Sequence, residues 1–168
     1  MTKRVRMVKP GTQIGLIPQD IAFSQPAIEL FRMMLRGELP QPPISQTLNF
    51  ILTEASEGRA VFRGIPLADF YNPMGSVHGG WAAALLDSSL GCAVHTMLPA
   101  GTGYSTVEFK IHLVRPMFEN TGEVACEGRI VHLGRTIATS EATIHDENDR
   151  LIAHGTETCA IFPLQKPD

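Results

Sequence analysis

Apolar residues at Ile28, Phe31, Met34 and Leu35 recur at helical spacing and stop at Gly37. This predicts a helix of about three turns, with Ser24 ahead of Gln25-Pro26 at its capped start. Residues 1–23 contain Pro10, Gly11, Gly15 and Pro18 without a sustained period and read as an irregular arm. After Pro40-Gln41-Pro42-Pro43 the pattern turns strand-like. Thr47–Glu54 and Arg59–Ile65 flank a turn at Ser56-Glu57-Gly58 and read as a hairpin. A loop with Asn72-Pro73 and Gly75 follows, then the alanine- and leucine-rich run from Gly79 to Val94, whose length and propensity suit a helix. Four strands are expected beyond it, near Tyr104–Leu113, Glu123–Leu133, Thr136–Ile144 and Leu151–Ile161. In the first of them Thr106, Glu108, Lys110 and His112 alternate onto one face. Short connections make the last three an antiparallel meander.

One helix against one sheet is a two-layer α+β arrangement. The Gly79–Val94 helix is apolar on nearly every face, so a sheet must curl around it. Residues 46–163 are expected to form the domain, with residues 1–45 an extension carrying the short helix and 164–168 a tail.

The chain of 168 residues, 43% apolar and 18% charged, has the balance of a folded protein rather than a disordered one. Its net charge of −3 offers no global basic field for nucleic acid or an anionic membrane. Lys3, Arg4, Arg6 and Lys9 concentrate positive charge in the first nine residues. No apolar run is long enough to span a membrane, and no signal-peptide core follows the basic start, so a cytoplasmic location is expected. Cys92, Cys126 and Cys159 are too far apart for a zinc or redox motif and read as reduced, buried thiols. His95, His112, His132, His145 and His154 lack close ligand spacing, and no metal site is expected.

Asp87 is the only carboxylate in the apolar helix. A buried, unpaired carboxylate costs several kcal/mol and needs either a partner or a use. It could face a subunit contact, bonded to hydroxyl or backbone groups, or it could do chemistry. His78-Gly79-Gly80 stands where loop becomes helix, and N–H groups in a first helical turn lack carbonyl partners. A carbonyl oxygen could approach the Gly79 N–H and have developing negative charge stabilised there. Glycine pairs also serve tight turns and close packing. Together, an electrophile-activating helix end and a carboxylate are the minimum for acyl transfer to water. Cys92 is a poor rival nucleophile, with no cation or histidine in evidence to lower its pKa.

Asn72-Pro73-Met74-Gly75-Ser76-Val77-His78-Gly79-Gly80, with Asp87 nine residues after His78 and then Gly91, resembles the hotdog-fold thioesterases of the phenylacetate-degradation (PaaI-like) type. Tyr104-Ser105-Thr106-Val107-Glu108, Val114-Arg115-Pro116, Gly134-Arg135 and Ala153-His154-Gly155-Thr156 extend the likeness from about Gln46 to Phe162. The resemblance implies a hotdog fold, a long central helix wrapped by a curved antiparallel sheet. It also implies a homodimer joined edge to edge, with active sites between subunits and a dimer of dimers as the larger assembly. By matching position, Gly79 would offer its N–H to the thioester oxygen, and Asp87 of the facing subunit would be base or nucleophile. Asn72 would position thioester or water, His78 would assist polarisation or hold the loop, and Thr106 would orient water or Asp87. Gly80, Trp81 and Arg135 are expected on the substrate side, Arg135 toward a coenzyme A phosphate. Phe70, Tyr71 and Trp81 could line an acyl pocket or serve as core. Arg115-Pro116 reads as a strand terminator. The implied reaction is acyl-CoA hydrolysis, with coenzyme A as part of the substrate and no separate cofactor. A hydratase and a non-catalytic acyl-CoA sensor are the alternatives within the fold.

Overall fold

A computed structural model describes residues 5–164. Three short helices, α1 (Gln19–Ser24), α2 (Ala27–Leu35) and α3 (Pro43–Leu48), precede β1 (Phe50–Ser56) and β2 (Arg59–Gly64). The long helix α4 (Gly79–His95) follows, and then β3 (Thr102–Leu113), β4 (Val124–Leu133), β5 (Ile137–Asp146) and β6 (Leu151–Pro163). All neighbouring strands are antiparallel, in the order β1-β2-β4-β5-β6-β3. The β1–β2 hairpin and the β4–β5–β6 meander thus join through β2 and β4, and β3 forms one edge. This is the α+β hotdog architecture, with α4 held against the concave face of the sheet.

The core explains the wrap. Leu85, Leu86, Leu90 and Val94 of α4 are fully buried, as are Phe50, Val124, Ile144 and Ala153 of four different strands. A helix apolar all round needs cover on more than one side, and a single twisted sheet supplies it. The extension completes the enclosure: Ala27, Leu30, Phe31 and Met34 of α2 join the same core cluster.

The N-terminal region differs from the sequence expectation in three places. Residues 19–24 form α1 rather than irregular chain, because Ile21 and Ala22 N–H groups bond back to the Pro18 carbonyl. Ser24 ends α1, its hydroxyl donating to the Ile21 carbonyl, and the residue preceding α2 is Pro26, with no side-chain cap. Residues 43–48 form α3 rather than the start of a strand. Pro43 occupies its first turn, where its missing N–H costs nothing. Asn49 closes α3 in the left-handed conformation (φ 55°), and its amide donates to the Ile65 carbonyl at 2.9 Å, delaying β1 until Phe50.

The strand β3 carries a second correction. Thr106 pairs with Cys159 and Glu108 with Thr158, so Val107 is an extra residue and the register shifts there. A bulge of this kind turns the strand over locally. Thr106, itself exposed, consequently turns toward Asp87 and Glu157, while Glu108, Lys110 and His112 lie on the other face, where His112 stacks on His154 with ring centroids 4.8 Å apart.

Candidate active site

Two features of α4 are candidates for chemistry, one at its N-terminus and one at its middle. At the N-terminus the loop of residues 72–78 is tied down from both sides. Val77 N–H donates to the Met117 carbonyl and His78 N–H to the Phe70 carbonyl. Asn72 closes the loop on itself, its Oδ1 accepting from Met74 and Ser76 N–H at 2.9 and 3.3 Å and its Nδ2 donating to Ser76 Oγ at 3.0 Å. This leaves one Asn72 amide hydrogen for a ligand. His78 caps α4: its Nδ1 accepts from Gly80 N–H at 2.9 Å, so any ring hydrogen sits on Nε2 and faces outward from an exposed side chain. Gly80 is thereby spent on the cap.

Gly79 N–H has no acceptor among the described residues. A cavity of about 240 Å³ opens beside it, walled by Asn72, Leu113, Arg115 and Met117 among others. A Cβ at Gly79 would stand 2.6 Å from Leu113 Cδ1, the end of an exposed side chain that would have to shift to keep this space open. Arg115 was read in sequence as a terminator. It follows directly on β3, its N–H bonding to the Ile152 carbonyl, and it lines the cavity while its guanidinium donates to the Leu151 carbonyl.

Asp87 lies eight residues further along α4, half-buried. No ion pair reaches it among the described residues. Thr106 Oγ1 lies 3.5 Å from Asp87 Oδ1. Burial raises the Asp87 pKa above the ordinary carboxylate value, and the Thr106 contact opposes this only in part. The carboxylate is therefore more basic than a solvated aspartate and able to take a proton from water.

A residue that sequence reading passed over completes this cluster. Glu157 on β6 is 1% exposed, and its Oε1 lies 2.9 Å from Thr106 Oγ1 and 2.9 Å from Cys159 Sγ. Its Oε2 is buried without a partner. Burial raises its pKa, and the Asp87 charge adds to the effect. The signal was present: Ala153, Gly155, Glu157 and Cys159 alternate onto the buried face of β6, and a glutamate stands in that phase. Cys92, pushed up to about 12 by burial, is no thiolate.

Other expected site residues fall elsewhere. Trp81 is packed in the core, 3% exposed, its indole N–H donating to the Leu48 carbonyl at 2.7 Å and its ring stacked on Phe70, so this chain offers no ligand a face of it. Tyr71 Oη accepts from Glu119 N–H at 2.7 Å. Arg135 is exposed at the β4–β5 turn, without an ion pair among the described residues, and does not line the Gly79 cavity. Among the described residues no group of three or more His, Cys, Asp or Glu side chains is arranged to hold a metal ion.

A single helix wrapped by an antiparallel sheet, with an open N–H at its start and a half-buried carboxylate at its middle, is the arrangement of a hotdog protein. Residues 74–153 match the thioesterase superfamily. Through that segment the chain is related to the hotdog-fold thioesterase superfamily and to its phenylacetate-degradation members. A phenylacetic acid degradation-related protein of Ralstonia eutropha JMP134 is 28% identical, with a TM-score of 0.70 over 77% of this chain and 98% of that one. The PaaI protein of Escherichia coli shares the fold at 18% identity, with a TM-score of 0.70 over 85% of this chain and 99% of its own. A Halobacterium salinarum protein provisionally named an esterase is 31% identical over 85 residues, 49% of this chain. The chain spans about half, 54%, of that relative's length.

Proposed function

We propose that the protein is an acyl-CoA thioesterase whose active site forms between two copies of the chain. The observation that carries this reading is the pairing, on one helix, of an open Gly79 N–H with an Asp87 carboxylate that no cation among the described residues neutralises. At 1.5 Å per residue, eight residues separate them by about 12 Å along the axis. One chain therefore cannot bring both to a single thioester. Two copies joined along the β3 edge can, each supplying one group to each site. The edge supports this pairing: Val107 and Phe109 of β3 are exposed, an arrangement that a lone soluble chain tends to avoid.

In this site the thioester carbonyl oxygen accepts from Gly79 N–H, where the helix dipole and the fixed donor stabilise the negative charge that develops on attack. Asp87 of the facing copy either removes a proton from water as it attacks the carbonyl carbon, or attacks that carbon itself. In the first route a C–O bond forms to water oxygen and the tetrahedral intermediate expels coenzyme A thiolate. The proton held by Asp87 returns to the thiolate, leaving acid and free thiol. In the second route the Asp87 carboxylate displaces coenzyme A thiolate as the C–S bond breaks, and water cleaves the acyl-aspartyl anhydride, one of its hydrogens staying with the released acid and the other protonating the thiolate. Thr106 orients Asp87, His78 fixes the helix start, and Asn72 shapes the loop and keeps one N–H for substrate. Arg135 is the candidate for a coenzyme A phosphate, and the names of the relatives favour an aromatic acyl group.

The test is thiol release from phenylacetyl-, benzoyl-, acetyl- and hexanoyl-CoA, comparing wild type with Asp87→Asn and Asp87→Ala. Turnover by wild type that collapses in both variants supports the reading. A folded Asp87→Ala protein with full activity would overturn it, and tight acyl-CoA binding without turnover by wild type would favour a sensor.

A further inference from the structure

Glu157 lies outside every role assigned so far, yet it touches the residue that touches Asp87. Thr106 Oγ1 stands between the two carboxyl groups, 2.9 Å from Glu157 Oε1 and 3.5 Å from Asp87 Oδ1. A hydroxyl has one hydrogen and can donate to only one of them. If both carboxyls were ionised, one would go without that bond, and two like charges would share a buried site with no cation among the described residues. One proton on Glu157 removes both faults. Placed on Oε1, it is donated to Thr106 Oγ1, and the Thr106 hydrogen is then released toward Asp87.

We propose that Glu157 is a positioning residue that remains a neutral carboxylic acid while Asp87 is ionised, so that a chain of donation runs from Glu157 through Thr106 to Asp87. The inference rests on the thioesterase reading for its catalytic consequence, although the protonation state stands on its own. Ionisation of Glu157 reverses the chain: Thr106 turns its hydrogen to Glu157, and Asp87 loses its only hydrogen-bond donor among the described residues. The Val107 bulge is what allows the arrangement, because without the extra residue Thr106 would share a register with outward-facing Glu108.

The groups facing this pair are few. Asp87 and Cys92 come from α4, Tyr104 and Thr106 from β3, and Cys159 from β6, while Ser140 of β5 is the register partner of Glu157 and does not titrate. Burial raises Cys92, Tyr104 and Cys159 and keeps them neutral at pH 7, which leaves Asp87 and Glu157 as the two carboxyl groups of the cluster. Their two ionisations belong to the pair as a whole.

Infrared difference spectroscopy of the whole chain is the direct experiment. A protonated-carboxyl carbonyl band at pH 7 in wild type that disappears in Glu157→Gln is the expected result. Absence of the band in wild type, or its survival in Glu157→Gln, overturns the proposal. Kinetics supply a second readout on the best acyl-CoA of the panel. Wild type should lose kcat as pH rises and Glu157 ionises. Glu157→Val should lower kcat about 30-fold with KM little changed, and Glu157→Gln, whose amide can donate to Thr106, should restore most of it and remove the falling high-pH limb. Equal activity and unchanged pH profiles in both variants would overturn the positioning role. Full activity in Asp87→Ala would instead sink the thioesterase site while leaving the infrared result to stand.

Discussion

Gly128 on β4 lies directly under Ser89 on α4, so close that a Cβ added to Gly128 would stand 2.1 Å from the Ser89 carbonyl oxygen. Ser89 reinforces the contact, its hydroxyl placed 3.1 Å from the Leu85 carbonyl and 3.2 Å from the Cys126 carbonyl across the sheet. The helix is thus seated on bare backbone two residues beyond Asp87, which sets the depth at which that carboxylate enters the site. Gly128→Ala must lift the helix, because backbone atoms cannot swing aside. We expect a loss of about 3 kcal/mol of stability from overpacking, read by urea denaturation, together with reduced thiol release in the surviving folded fraction.

Asp87→Asn keeps size and shape and removes the proton acceptor. The expected result is a fall in kcat of about 10²–10⁴-fold with unchanged circular dichroism, as for loss of a general base. The acid limb of kcat/KM in wild type should lie above the ordinary aspartate value, because burial raises the Asp87 pKa and only the ionised form is active. A limb centred at or below that value would contradict the assignment.

Stability should respond to pH from both sides. His95, packed edge-on against Phe31, is lowered to about 4 by burial, so the folded state binds its proton less readily than the unfolded chain. Its contribution is complete above the unfolded value near 6.5 and is lost as pH falls toward about 4, amounting to about 3 kcal/mol at most. Asp87 and Glu157 act in the opposite sense: their raised values mean stability that is full below the unfolded carboxylate range and lost as pH rises through the folded values. His95→Leu should therefore flatten the acid side of a plot of Tm against pH, and Glu157→Gln should reduce the loss of stability that accompanies carboxyl ionisation as pH rises.

Val107 is exposed at the bulge of the β3 edge. If two copies join there, Val107→Asp brings introduced charges toward each other across a twofold axis. Sedimentation velocity should show the dimer weakened by at least about tenfold, with activity falling in parallel at low protein concentration. A wild type that sediments as a monomer while fully active would refute the shared site.

Much of this was legible along the chain. Helical period and alanine–leucine content marked α4, β-branched alternation marked β3 to β6, and the isolated Asp87 beside Gly79-Gly80 drew attention to the site. The misses share a cause. Proline was read as a break near residue 43 but serves as the start of α3, since the cost of proline depends on which turn it occupies. Ser24 was read as a cap from position alone. Trp81 was allotted to substrate because its indole gave no sign of whether Leu48 would be within reach.

The sequence alone determined the layers: a rod apolar on every side must be wrapped, strands with short connections must run antiparallel, and a lone carboxylate in that rod must be accounted for. Tertiary structure decided what surrounds the carboxylate. One extra residue at Val107 puts Thr106 on the side facing Asp87, and the pairing of β3 with β6 carries Glu157 to it across 51 positions of chain. Local propensity carries no information about such a meeting, because a bulge is chosen by how a strand must bend around the helix and not by the residues that form it.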